Sequence, residues 1–233
     1  MLVIDESNYL DFCGDSKTLD KDHKHSGGTI RRFGLKQKPK GLMSKFAAVP
    51  TFSLIPRSSW SSRIAERKSN KQTLRDLLDR SGVVCKDQGE TNYCHANSAV
   101  LAIEICRVVQ GESYVELSAG SVGGPITGYQ NEGAYIDQDL EQIRKFGAAS
   151  TRFVPPNAIE KSLWNPGAEE NALNYRITKW WDMMSKPEGK MFDRCATLLL
   201  NNIPVCCGYY WWGHAVTLID LVEISKGKFG FVS

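Results

Sequence analysis

Val83-Val84-Cys85-Lys86-Asp87-Gln88-Gly89-Glu90-Thr91-Asn92-Tyr93-Cys94-His95-Ala96-Asn97-Ser98-Ala99 is a polar loop that runs into an apolar helix, with Cys94 at the junction. From Cys94 to Gln110, residues Ala96, Ala99, Val100, Ile103 and Cys106 keep helical spacing, and Leu101, Ala102 and Ile105 add apolar groups on other faces. A helix apolar nearly all round is a central, buried one. Its N-terminus carries unpaired backbone N–H groups and the positive end of the macrodipole. A thiol placed there is expected to have its pKa lowered below about 8.5, towards the nucleophilic thiolate. The plainer role for the same residue is a small buried side chain, the usual fate of a lone cysteine.

The rest of the composition narrows the options. A chain of 233 residues can form one large domain or two small ones with ample core. With 42% hydrophobic and 24% charged residues it reads as an ordinary globular protein, and a net charge of +3 is too small to imply nucleic-acid or membrane binding. No apolar run reaches the roughly 18 residues a membrane span needs. Met1-Leu2-Val3-Ile4-Asp5-Glu6 is neither basic nor followed by a long apolar stretch, so no signal peptide is visible and a cytoplasmic setting is expected. The seven cysteines, at 13, 85, 94, 106, 195, 206 and 207, are odd in number and include no CxxC pair, which argues for reduced thiols over a disulfide scaffold. The histidines are His23, His25, His95 and His214. Only Asp20–His25 offers closely spaced metal ligands, and it is solvated and bare of others, so neither metal nor cofactor is expected.

In chain order, residues 1–45 are polar and lack sustained periodicity, which suggests a tail or extended arm. Its basic part, Arg31-Arg32 with Lys36, Lys38, Lys40 and Lys45, reads as a solvated face. Residues 46–62 are short apolar pieces broken by two prolines, suited to packing across a domain surface. Thr73–Leu78 carries a short amphipathic helix ending near Gly82. Residues 113–135 read as loop because of their glycines, and Ile136, Leu140 and Ile143 before Gly147 give an amphipathic helix with a glycine stop. Further helices are expected through Leu173, Ile177, Trp180 or Trp181 and Met184, and through Met191, Cys195 and Leu198 up to Asn201. After that the period changes: Val205–Trp212 and Ala215–Ile224 are β-rich, with a turn at Ser225-Lys226-Gly227-Lys228. Helices first and strands last make an α+β layout.

A thiol nucleophile needs a base, and the base needs an orienting group. His95 is adjacent to Cys94, and chain neighbours on a helix do not face each other, so it reads as a packing or rim residue. His23 and His25 sit in the polar arm. His214 opens the apolar run Gly213-His214-Ala215-Val216-Thr217-Leu218 and is the candidate base; its plainer role is a hydrogen-bonded core histidine.

Lys86-Asp87-Gln88-Gly89, with Cys94 six residues after Gln88 and then Ala96 and Ser98-Ala99, resembles the active-site segment of the papain-like cysteine proteases. Gly213-His214-Ala215-Val216 resembles that family's histidine strand, and Leu117-Ser118 and Glu132-Gly133-Ala134-Tyr135 with Leu140 resemble two of its intervening segments. The resemblance covers residues 80–233. It implies an α+β papain-like fold of two lobes, one helical around the Cys94 helix and one β-rich carrying His214, with residues 1–79 as an N-terminal arm. It also implies a cysteine-type peptidase acting on a peptide or protein substrate. Cys94 would be the nucleophile, His214 the base, and the Gln88 amide an oxyanion donor beside the Cys94 N–H. Gly133 and Ala134 would lie along the substrate backbone. The family's charged helical propeptide signature is missing from residues 1–79, so a structural arm is expected, with an inhibitory segment or partner-binding tail as alternatives.

Three departures stand out. Thr91 replaces the family's usual cysteine before the nucleophile, so its disulfide is absent, and His95 replaces the aromatic that follows. The family's Asn that orients the histidine is not found. A turn centred near Lys226–Gly227 would place its position beyond Ser233, which suggests a C-terminally truncated chain; Asp220 shares the strand face of His214 but lies roughly 20 Å along it. The alternatives to a peptidase are a non-catalytic papain-like binding or assembly module and a related acyl transferase or isopeptidase. Tyr209, Tyr210, Trp211 and Trp212 could line the approach to His214, and substrate preference is not legible.

Overall fold

The computed structural model describes residues 23–24, 30–31, 34–37, 52–183, 190–210 and 213–233. The elements are β1 (His23–Lys24), β2 (Ile30–Arg31), α1 (Trp60–Ser69), α2 (Leu74–Ser81), α3 (Cys94–Val109), α4 (Gly120–Thr127), α5 (Ile136–Phe146), α6 (Ala168–Ala172), α7 (Met191–Leu199), β3 (Val205–Tyr209), β4 (His214–Leu218), β5 (Asp220–Ser225) and β6 (Lys228–Val232). Most of the polar tail, the Asp20–His25 cluster apart from the backbone at 23–24, Cys13, Met184, Trp211 and Trp212 lie outside the described residues. Among the described residues, no helix is long and apolar enough to cross a membrane.

Helix α3 is central because two apolar clusters claim opposite sides of it. Ala96, Ala99, Val100 and Ile103 pack with Leu117, Val122 and Ile143. Ile105 packs with Leu74, Leu78, Leu198, Leu199, Val205 and Leu218, so one helix joins the helical region to the C-terminal strands. Helix α2 forms as its sequence predicts: Thr73 and Asp76 make a reciprocal capping box, and Gly82 takes the left-handed conformation at φ 67°. Asp220 supplies the rest of that cap, accepting from the Leu74 N–H at 3.2 Å and the Arg75 N–H at 3.0 Å. Asp220 is thus a helix cap, away from His214.

Three local expectations are corrected. Residues 60–69, read as part of an apolar surface segment and arm, form α1, and Trp60 is fully buried with Ile64, Leu200 and Leu221. Burying such a side chain stabilises by about 1.5–3 kcal/mol, against well under 1 kcal/mol for an exposed pair such as Arg57–Asp193, so Trp60 is the anchor. Together with Leu74 it places residues N-terminal to position 80 in clusters shared with the C-terminal strands. Residues 120–127, read as loop, form α4: glycine costs a helix about 1 kcal/mol each, but close packing decides here. A Cβ on Gly120 would fall 2.5 Å from the Ala158 backbone, so this helix can pack only where it has glycine. The helix expected from Leu173 does not form. A short 3-10 turn over Leu173–Tyr175 is followed by irregular chain: on a helix Leu173 would share the face of Ile177 and Trp180, yet Leu173 is exposed while Ile177 joins the α3 cluster and Trp180 is buried.

The strands pair as two antiparallel hairpins. In β3–β4, Val205 faces Leu218 and Tyr209 faces His214; in β5–β6, Asp220 faces Val232 across the turn at Gly227, where φ is 74°. The single strand expected over Ala215–Ile224 divides at Ile219, whose N–H turns to the Val232 carbonyl at 2.8 Å.

One ion pair lies inside the α3 packing. Lys86 Nζ is 2.6 Å from Glu104 Oε1, the two side chains being 7% and 0% exposed, and it also donates to the Leu117 carbonyl at 2.9 Å. Burial pushes the Glu104 carboxyl up to about 7, against the pull of Lys86 and the Leu117 amide. The folded state therefore holds a proton that the unfolded chain releases near pH 4.5, and the stability tied to it is lost as pH rises from there through 7. In urea melts, the parent chain should lose stability relative to Glu104→Gln between pH 5 and pH 8; a pH-independent difference would contradict this account.

Candidate active site

Cys94 is the first residue of α3, so its N–H has no intrahelical acceptor. The approach loop is clamped on both sides. Asn131 accepts from the Asn92 N–H and takes the Asn92 side-chain amide on its carbonyl, each at 2.7 Å. Asn157 donates to the Asp87 carbonyl at 2.7 Å and accepts from Asn97 of α3 at 2.9 Å. Within the loop, Gln88 is buried and its Nε2 donates to the Thr91 carbonyl at 2.8 Å, which fixes the direction of the amide.

The start of β4 is seated on the first turns of α3. Ser98 Oγ donates to the Val216 carbonyl at 2.8 Å, Thr217 Oγ1 donates to the Ser98 carbonyl at 2.9 Å, and the backbone of Ala215 is near enough to the Cys94 thiol to draw its pKa down. The backbone next to His214 therefore acts on the candidate nucleophile, although 120 positions separate His214 from Cys94. The His214 Nδ1 is enclosed. Gly133 and Ala134 lie on the other side, where Ala134 pairs in parallel with Leu35. A cavity of about 490 Å³ runs from there between Leu35, Ile136, Leu140, Ile177, Cys207 and Gly208. A smaller one of about 280 Å³, at Arg67 and Asp220, involves none of these residues.

The expected low thiol pKa is not what this arrangement gives. Cys94 is 1% exposed, and burial raises its pKa from 9.0 to about 11; backbone hydrogen bonds with Ala215, Gly34 and His95 pull down, and the Asp139 charge pushes up. That rise corresponds to roughly 3 kcal/mol, whereas a helix N-terminus supplies about 0.3–1 kcal/mol, so burial wins and the thiol is protonated at neutral pH. Cys106, Cys195 and Cys206 are likewise raised by burial, and Cys85 is the exposed cysteine among the six described, all of which are free.

No protein-family model matches the chain, and no curated protein matches it. Among solved structures it is similar to Xylellain, a cysteine protease from Xylella fastidiosa, with 20% identity and a TM-score of 0.41 over 49% of this chain and 49% of that one. The chain thus aligns with about half the length of that protease, a likeness too slight to carry fold or activity across.

Several supporting residues give no sequence signal. His95, read as a packing or rim residue, is fully buried, with Nδ1 2.9 Å from both Asp139 oxygens. Asp139 itself is fully buried, and burial raises its pKa against the pull of His95. This pair ties α5 to the first turn of α3. Only the odd placement of an Asp on the core side of an amphipathic helix could have pointed to it. Asn131 and Asn157 act across loops and were not legible.

Two outcomes follow. Alkylation of Cys94 in the parent chain should climb about tenfold per pH unit from pH 7 to pH 10, as the thiolate fraction does below its pKa; a plateau below pH 8 would contradict the buried, protonated thiol. Asp139→Ala strands the buried His95 and should cost about 3–5 kcal/mol by denaturant unfolding; a loss below 1 kcal/mol would mean that the pair does not hold α3.

Proposed function

We propose that this chain is a papain-like cysteine peptidase, with Cys94 as nucleophile and His214 as base, built as a helical lobe around α3 and a β-rich lobe carrying β4. The observation that carries the reading is the seating of β4 on the first turns of α3 through the Ser98–Val216 and Thr217–Ser98 hydrogen bonds.

In this reading His214 takes the Cys94 proton, and the thiolate attacks the peptide carbonyl to give a tetrahedral oxyanion. The Cys94 N–H, free of intrahelical pairing, and the oriented Gln88 amide donate to that oxyanion. Imidazolium then protonates the departing amine, leaving a thioester on Cys94, and a water activated by neutral His214 releases the acid. Gly133 and Ala134 offer the extended edge along which the substrate backbone lies. The raised thiol pKa favours the alternative of a binding module that never ionises Cys94, so the test must separate the two.

Cys94→Ala and His214→Ala should each abolish hydrolysis of a quenched fluorescent peptide library, a loss of at least about a thousandfold, because the nucleophile and its base act as a unit. Cys85→Ala, at an exposed thiol, should change nothing. Hydrolysis that survives Cys94→Ala would overturn the peptidase reading.

A further inference from the structure

We propose that the His95–Asp139 pair is a positioning element for Cys94: a negative charge sealed into the core against the residue that follows the sulfur, so that the thiol gives up its proton readily only when that charge is neutralised. The effect on the thiol stands by itself; any effect on hydrolysis rests on the peptidase reading.

The geometry limits which protons the pair can hold. His95 Nδ1 lies 2.9 Å from both Asp139 oxygens with both side chains fully buried, so Nδ1 carries a hydrogen and donates it to the carboxylate. His95 Nε2 is also buried and meets no hydrogen-bond partner. A second proton on the pair would sit on Nε2 or on a carboxyl oxygen, and either site leaves a buried donor with no acceptor; with one proton, only a ring lone pair goes unmet. Burial pushes the Asp139 carboxyl towards protonation, and His95 holds it back. Among the described residues no lysine or arginine pairs with Asp139, so the one-proton pair is net negative.

That charge reaches the sulfur. Cys94 and His95 are the first two residues of α3, and α5 brings Asp139 to the same turn. The Asp139 charge pushes the Cys94 thiol up, and with it Cys206, whose Sγ sits 3.5 Å from the Ser98 carbonyl of α3. Cys106 and Cys195 are raised by burial without any push from Asp139. The other titratable groups at this corner come from each neighbouring element. Asp137 of α5 pushes against Asp139, and Tyr93 stands T-shaped to the His95 ring with its hydroxyl donated to the Gln130 carbonyl at 3.1 Å. Strand β3 brings Cys206, and β4 brings His214 beside Ala215. A buried ion pair is a weak stabiliser, and an apolar pair of the same shape often serves as well, which makes an uncharged replacement a usable probe.

The test follows iodoacetamide labelling from pH 6 to pH 10, read cysteine by cysteine by mass spectrometry, in the full parent chain and three variants whose folding is checked by urea melts. Asp139→Asn removes the charge and keeps an acceptor for His95 Nδ1. His95→Asn keeps the charge and puts an amide N–H near the Nδ1 position. The double variant His95→Phe with Asp139→Leu removes both groups at little change of shape, and supplies the uncharged core should Asp139→Asn fail to fold. In the uncharged variants, Cys94 labelling at pH 7 should be about tenfold faster, its profile moved about one unit to lower pH. Cys206 should rise in the same direction, Cys106 and Cys195 should stay slow, and Cys94 in His95→Asn should stay close to the parent. An unmoved Cys94 profile in the uncharged variants, or a rise shared equally by Cys195 and by His95→Asn, overturns the proposal. A moved profile without peptide hydrolysis in any chain keeps the charge effect and removes the peptidase; hydrolysis abolished by Cys94→Ala with an unmoved profile does the reverse.

Discussion

Everything near Cys94 depends on one contact: the first turns of α3 held against the first residues of β4. Two hydroxyls do most of the holding. Ser98 donates to Val216, and Thr217 donates back to the Ser98 carbonyl, both in the interior, where an unmet polar group costs about 1–3 kcal/mol. A slide of the strand by one residue would break both bonds and move Ala215 off the thiol. The apolar clusters on either side of α3 then need only be well packed, since the polar pair sets the register.

That arrangement has a consequence for reactivity. The helix N-terminus favours a thiolate, but burial removes solvent from it, and solvent matters more. The thiol is therefore protonated where it is best positioned. In the proposed mechanism, the proton is shed once substrate dipoles and His214 face the sulfur. Burial keeps the Cys94 thiol in an inert form, as it does Cys106, Cys195 and Cys206, which line the cavity beside Leu35.

The sequence was most legible where local rules decide. Thr73 and Gly82 bracket α2, Gly147 stops α5, and the period change after Asn202 announces the strands, because caps, stops and alternation are written within a few residues. It misled where packing overrides propensity: the glycines of α4 look like loop until Ala158 is known to lie against them, and the apolar residues after Leu173 keep helical spacing yet serve separate clusters. The candidate site was legible as residue types, Gln88, Cys94 and His214, since their chemistry singles them out. Its supports were not. Asp139 under His95, the Asn131 and Asn157 clamps, and Leu35 on the Ala134 edge are all long-range contacts that leave no local pattern.

The most direct test of the central claim is whether Cys94 and His214 titrate as a pair. With four histidines in the chain, the His214 ring protons can be followed by NMR as pH is varied. In the Leu35→Asp background, which puts a carboxylate and water into the apolar cavity beside Ala134, replacing Cys94 by Ala should lower the His214 pKa by a unit or more, since a thiolate partner stabilises the imidazolium by at least about 1.4 kcal/mol. A His214 titration identical with and without the Cys94 sulfur would contradict the account.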